Sequence, residues 1–112
     1  EEIFQWTKSA KNAPDAVTDL KIDFKNGVPV AINGKSYSPA QLIMKMNEIA
    51  GMNGIGRIDI MEDRMMGLKV RENYECPGAM VLIQAHQALE ALVLTRDELK
   101  FKERVGAEWS EL

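Results

Sequence analysis

The hydrophobic residues of this chain change their spacing along its length, and that change most narrows what it can fold into. Between Thr18 and Phe24, Leu20, Ile22 and Phe24 alternate with Asp19, Lys21 and Asp23, the period of a half-buried strand. Val28, Val30 and Ile32 repeat that spacing. The turn signals Lys25-Asn26-Gly27 and Asn33-Gly34 flank this run, so an antiparallel hairpin is expected. Pro29 has no ladder donor and argues for an edge position. Arg57 to Glu62 alternates again, and Met66, Leu68 and Val70 form a further strand-like stretch that could pair with it or with the hairpin.

Helical signals separate and follow these strands. Ser38-Pro39-Ala40-Gln41 combines a capping serine, proline at the first helical position and glutamine three residues after the cap. Leu42, Ile43, Met46 and Ile49 would form the buried stripe of that helix, with Gly51 suited to end it in a left-handed conformation. Pro77 to Leu94 reads as a long helix, apolar nearly all round in its first half, which needs a sheet or a neighbouring domain to cover it. A second capping box, Thr95 to Glu98, opens a last helix with Leu99, Val105 and Trp109 on one side. No glycine or proline stop follows Ser110-Glu111-Leu112, so the chain is expected to end inside or at the close of that helix. The first residues have no sustained period and contain Pro14. They read as a connecting strap over residues 1–17, with Phe4 and Trp6 as anchors. The expected fold is α+β over residues 18–112, an antiparallel or mixed sheet with a hairpin, packed by three helices.

The 112 residues suffice for one modest core. Seventeen acidic against 14 basic residues leave a net charge of -3, with no basic stripe for nucleic acid. The single Cys76 cannot close an internal disulfide, and with His86 as the one histidine no Cys/His metal site can be assembled. A reducing, cytoplasmic setting fits this usage. No apolar run approaches the roughly 18 residues of a membrane span, and the Glu1-Glu2 start lacks the positive region of a signal peptide.

Chemistry-bearing positions concentrate between Glu62 and Pro77. The apolar parity of Ile58 and Ile60 continues to Glu62. A carboxylate on that face at a strand end marks either an ion pair, with Arg64, Lys69 or Arg71, or a ligand contact. Tyr74 lies in the turn-like segment Glu72 to Gly78, where its hydroxyl could serve a pocket mouth or the ring could pack at a helix entry. The glycines of Gly51 to Gly56 run helix, glycines, strand, the reverse of a phosphate loop, and read as an ordinary connection. His86 reads as structural, and Cys76 as a helix-capping position more than a nucleophile. Met61, Met65 and Met66 suit core filling or an interface more than a binding box.

One stretch is specific. The run Gly54-Ile55-Gly56-Arg57-Ile58-Asp59-Ile60-Met61-Glu62-Asp63-Arg64, then Gly67-Leu68-Lys69-Val70-Arg71 and Tyr74-Glu75-Cys76-Pro77-Gly78, resembles the argininosuccinate synthase family, whose pattern there reads GIGR(I/V)D, V-E-N-R, G-M-K-S-R-G and Y-E-T-P. The likeness extends to Trp6-Thr7, Gly27 to Val30, Asn33-Gly34, Asn47 to Gly51 and the helix before Thr95-Arg96-Asp97. Asp63, Val70, Glu72-Asn73 and Cys76 depart from the pattern.

The resemblance implies an ATP-dependent ligase, using ATP with magnesium, that couples citrulline to aspartate through a citrullyl-adenylate and releases AMP and pyrophosphate. It further implies that Glu62 and Tyr74 contact citrulline, with the ATP-binding machinery and the aspartate-binding residues upstream of Glu1. A C-terminal extension that helps build a homotetramer would follow Leu112. On this reading the chain is the later part of the synthetase and multimerisation domain, supplying part of the citrulline site and an assembly surface, and inactive alone. The alternative is a non-catalytic assembly or regulatory module of the same fold, in which Glu62 merely pairs with an arginine.

Overall fold

The structure, a computed structural model, describes residues 3–112, so the acidic Glu1-Glu2 start lies outside the described residues. Three short strands come first: β1 (Ile22–Lys25), β2 (Val28–Ile32) and β3 (Lys35–Ser36) form an antiparallel sheet in that order. Asn26-Gly27 and Asn33-Gly34 turn the chain between them, all four with positive φ, as two-residue hairpin turns require. Pro29 therefore lies on the middle strand, not an edge strand. The sheet tolerates it because β3 pairs only with Ala31 and Ile32, which leaves the Pro29 half of β2 with one neighbour. A register shift between Asp23 and Phe24 also breaks the expected parity. Val28 is exposed, while both Ala31 and Ile32 are buried.

Helix α1 (Pro39–Met52) opens as its sequence predicts, with Ser38 and Gln41 each accepting from the other's backbone amide. Its buried side chains are Leu42, Met46 and Ala50, four residues apart on one stripe, with Gly51 buried next to them and Ile49 half-buried. Ile43, expected on that stripe, is 50% exposed because this stripe leaves it on the helix flank. Gly51 does not end the helix in a left-handed turn; that conformation falls to Gly54 at φ +73°. Gly51 serves close packing, since a Cβ there would lie 2.1 Å from the Trp6 carbonyl oxygen. The compact core joins Ile32, Leu42 and Met46, with Leu20, Ile22, Tyr37, Ile49, Val81 and Leu82 packed around them.

Strands β4 (Arg57–Asp63) and β5 (Lys69–Glu75) pair with each other in a separate antiparallel hairpin. The strand expected from Met66 begins instead at Lys69. Met65–Gly67 forms a tight helical turn at the tip, in which Met66 is left-handed at φ +70° and 98% exposed. The methionines of this region do not fill the core: Met61, Met65 and Met66 are all exposed.

Helix α2 (Pro77–Val93) follows β5 and packs along α1. Close approach is possible where Gly78 donates its amide to Asn47 Oδ1 at 2.8 Å, a contact that any Cβ would crowd. Cys76 occupies the N-cap position, but its side chain caps nothing. Helix α3 (Arg96–Ser110) starts at the Thr95–Glu98 capping box and reaches back through Lys102 Nζ to Glu90 Oε2 at 2.9 Å. Its expected apolar side stays largely uncovered: Trp109 is 75% exposed, Val105 is exposed, and Leu99 is half-buried. Leu92 and Val93 at the end of α2 are exposed as well. No helix among the described residues is long and apolar enough to cross a membrane.

Candidate functional site

Antiparallel pairing decides which side chains of the β4–β5 hairpin share a face. Ile58 pairs with Tyr74, Ile60 with Glu72 and Glu62 with Val70. Directly paired residues point the same way, so these six form one face. Arg57, Asp59, Met61 and Asp63 of β4, with Lys69, Arg71, Asn73 and Glu75 of β5, form the other.

The two residues singled out by sequence therefore fall on the same face. Tyr74 belongs to a strand rather than a turn, because its backbone is held in register opposite Ile58. Its ring leans along the strand toward Glu62, and the hydroxyl donates to Glu62 Oε1 at 2.5 Å. Tyr74 is 44% exposed and Glu62 half-buried, so the pair is open to a molecule arriving from outside the hairpin.

Of the three cations that could neutralise Glu62, two are engaged on the opposite face. Lys69 pairs with Asp63, and Arg71 holds Asp59 through both carboxylate oxygens, with Nε donating at 2.8 Å. Arg64 comes to 3.7 Å from Glu62 Oε2 while hydrogen-bonding Glu72. That distance is an ion pair without a hydrogen bond. Among the described residues Glu62 thus has one tyrosine donor and one loosely held cation, and its carboxyl oxygens have room for further donors.

The hydrogen bond to Glu62 raises the Tyr74 phenol above its ordinary value, desolvation and the charges of Glu62 and Glu72 add to this, and Arg64 opposes it. At neutral pH the hydroxyl is a proton-bearing donor. The Arg64 guanidinium is pushed up chiefly by its hydrogen bond to Glu72, then by the charges of Glu72 and Glu62.

Beside Tyr74, but on the other face, Glu75 has a role that sequence reasoning missed. Its Oε1 accepts from the Thr7 amide at 2.8 Å, the Thr7 hydroxyl at 2.6 Å and the Trp6 amide at 2.9 Å, while Oε2 accepts from the Gln5 amide at 2.9 Å. Partial burial works against its charge, but the Thr7 hydroxyl and the three amides outweigh that and hold the carboxyl below its ordinary value. Arg57 grips the same strap. Its Nε donates to Thr7 Oγ1 and its Nη2 to the Thr7 carbonyl, both at 2.9 Å, and the guanidinium stacks 3.9 Å from the Phe4 ring centre. Phe4 is thereby the anchor expected, whereas Trp6 is exposed. No local pattern could have disclosed a pairing between residues 68 positions apart.

The remaining candidates resolve into packing. The glycines at the end of α1 and before β4 meet neighbouring chain: Gly51 meets Trp6, Gly54 meets Lys8 and Ala13, and Gly56 meets Pro77. Each of these glycines meets neighbouring chain, not open space, so none of them is assigned to a phosphate. His86 stacks edge-on to Phe24 at 5.8 Å between ring centres, and its Nδ1 lies 3.2 Å from Glu90 Oε1. The Cys76 sulfur lies 3.8 Å from the Gly56 carbonyl oxygen. Among the described residues no group of three or more His, Cys, Asp or Glu could hold a metal ion.

Comparison with known families is decisive for the chain as a whole. The family model described as Arginosuccinate synthase C-terminal domain matches residues 1–112. The chain belongs to the argininosuccinate synthase family. It is 60% identical over 111 residues to the argininosuccinate synthase of Methanococcus maripaludis, covering 99% of this chain and 28% of that protein. It is 60% identical over 112 residues to that of Methanosarcina mazei, covering all of this chain and 28% of that protein. The argininosuccinate synthase of Dehalococcoides mccartyi is 50% identical over 111 residues, covering 99% of this chain and 27% of that protein. The chain thus spans little more than a quarter of the length of the argininosuccinate synthases it matches.

Proposed function

We propose that this chain acts as the C-terminal-domain portion of an argininosuccinate synthase, a ligase that joins citrulline and aspartate at the expense of ATP, and that Glu62 and Tyr74 form one wall of its citrulline site. The observation that carries the reading is the Tyr74–Glu62 hydrogen bond on an uncovered hairpin face. A carboxylate already fixed by one donor, with lone pairs left over, suits a small molecule rich in N–H groups such as citrulline. Tyr74 holds the carboxylate in direction and offers its own oxygen as a second contact. Both contribute orientation rather than proton transfer, because a phenol held above its ordinary value is a poor acid at neutral pH.

ATP, with its magnesium, supplies the activation of citrulline in this reaction. The residues of this chain are not assigned to it, and the rest of the enzyme would hold it. Assembly into a homotetramer and a cytoplasmic location belong to the same reading. Support for assembly comes from the exposed apolar side chains of Leu92, Val93, Val105 and Trp109 along α2 and α3.

The test is Glu62→Gln in the enzyme that contains this chain. Citrulline KM should rise at least about tenfold while ATP KM stays within about twofold. Unchanged citrulline KM and kcat would reject the assignment.

A further inference from the structure

The β4–β5 hairpin is joined to the body of the chain at its base. Its strands pack mainly on each other, so whatever fixes the base fixes the direction of the whole hairpin, including Glu62 and Tyr74. Part of that fixation is local, since the Cys76 amide donates to the Gly56 carbonyl at 2.8 Å. The rest is supplied by the strap. Thr7, only 6% exposed, receives Arg57 from the first residue of β4 and gives its amide and hydroxyl to Glu75 at the last residue of β5.

On its far side the same strap is tied to helix α1. The Lys8 amide donates to the Gly51 carbonyl at 2.9 Å, and the Trp6 carbonyl lies against Gly51 where no Cβ would fit. Residues 5–8 therefore form a tie with two ends, one on both strand termini and one on the helix.

We propose that Thr7 and Glu75 are positioning residues for the substrate site: by locking the strap between the hairpin base and α1, they set where Glu62 and Tyr74 stand relative to the rest of the enzyme. The proposal rests on the citrulline reading above. It is set apart from simple stabilisation by where the contacts go. Among the described residues, the four hydrogen bonds that the Glu75 carboxylate accepts all come from the strap, so losing them frees the hairpin to swing while the backbone pairing of the β4–β5 ladder stays in place. Glu75 follows Tyr74 directly on β5, which puts that freedom one peptide from a proposed substrate contact.

The deciding experiment is steady-state kinetics on the enzyme containing this chain, with Thr7→Val, Thr7→Ser and Glu75→Gln compared with Glu62→Gln. Thr7→Val keeps the side-chain shape and removes the hydroxyl that joins Glu75 to Arg57. It should raise citrulline KM roughly fivefold and leave kcat and ATP KM within about twofold. Thr7→Ser should restore the citrulline KM, and Glu75→Gln should behave as Thr7→Val. A fall in kcat with unchanged citrulline KM would mean that the tie only keeps the protein folded, and would overturn the proposal.

Amide hydrogen exchange supplies the second arm and needs no substrate. In the Thr7→Val and Glu75→Gln proteins the Gln5, Trp6 and Thr7 amides should exchange faster while the β4–β5 ladder amides keep their protection. Unaltered exchange at those three amides overturns the tie. The two readings fail separately. If Glu62→Gln raises citrulline KM and Thr7→Val does not, the positioning role is wrong; if Glu62→Gln itself has no effect, the citrulline reading is wrong.

Discussion

Tyr74 donates its hydroxyl hydrogen to Glu62 at 2.5 Å although the two are not partners in the strand ladder, where Tyr74 faces Ile58 and Glu62 faces Val70. The bond is made by two long side chains leaning toward each other along one face. Its geometry depends on hairpin register, because a slip of one residue would carry either side chain to the opposite face.

The phenol of Tyr74 reports on this contact. With Tyr37 replaced by phenylalanine, Tyr74 is the one remaining tyrosine of the chain, and its phenolate absorbance should titrate above the ordinary tyrosine range. Glu62→Gln removes the strongest cause of that shift and should move the midpoint down. A midpoint that ignores Glu62→Gln would show that the two side chains are apart in solution.

Acid should weaken the grip of Glu75 on the strap. The folded-state pKa of Glu75 lies below its ordinary value of 4.5, so its contribution to stability is fully present above that value. It is lost as pH falls from about 4.5 through the lower folded-state value. Urea unfolding midpoints should fall over that window, and Glu75→Gln should flatten this part of the pH dependence. Glu98, held down by the Thr95 amide and hydroxyl at the start of α3, acts with the same sign, so some slope should remain in the variant.

Two glycine substitutions should have opposite effects. At Gly56, φ is +119° and a Cβ would lie 2.4 Å from the Pro77 Cα. Alanine there would be strained and would push β4 away from the start of α2, costing about 2–4 kcal/mol. Gly106, inside α3, has nothing within 4 Å of where its Cβ would be. Gly106→Ala should stabilise the helix by roughly 0.5–1 kcal/mol. Urea denaturation of both variants checks the pair.

What could be read from sequence was what neighbouring residues decide among themselves. Ser38 with Gln41 and Thr95 with Glu98 cap their helices as predicted, because each capping box closes within four residues. Asn33-Gly34 turns the chain for the same reason. Strand parity puts Glu62 on the face of Ile58 and Ile60, where the ladder has it, but parity leaves an ion pair and a ligand contact equally open and only the family resemblance points to citrulline. The segment Glu72 to Gly78 reads as turn-like in sequence, yet pairing with β4 holds Tyr74 in a strand.

The sites that escaped depend on distant partners. Gly51 looked like a helix stop, but its small size answers to Trp6, far away in sequence. Nothing in the local sequence singles out Glu75, because its partner Thr7 comes from the far end of the chain. The expected edge position of Pro29 failed on sheet order, which strand patterns do not encode.

Glu62 and Tyr74, joined by one hydrogen bond, should act on citrulline as a unit. A double-mutant cycle with Glu62→Gln, Tyr74→Phe and the combined variant, read as citrulline KM in the enzyme containing this chain, measures this directly. Each single change should raise citrulline KM, ATP KM should stay within about twofold, and the double variant should be little worse than the poorer single one, because either change breaks the same hydrogen bond. Effects of the two single changes that add in full in the double variant, or citrulline KM and kcat unchanged in all three variants, would contradict this.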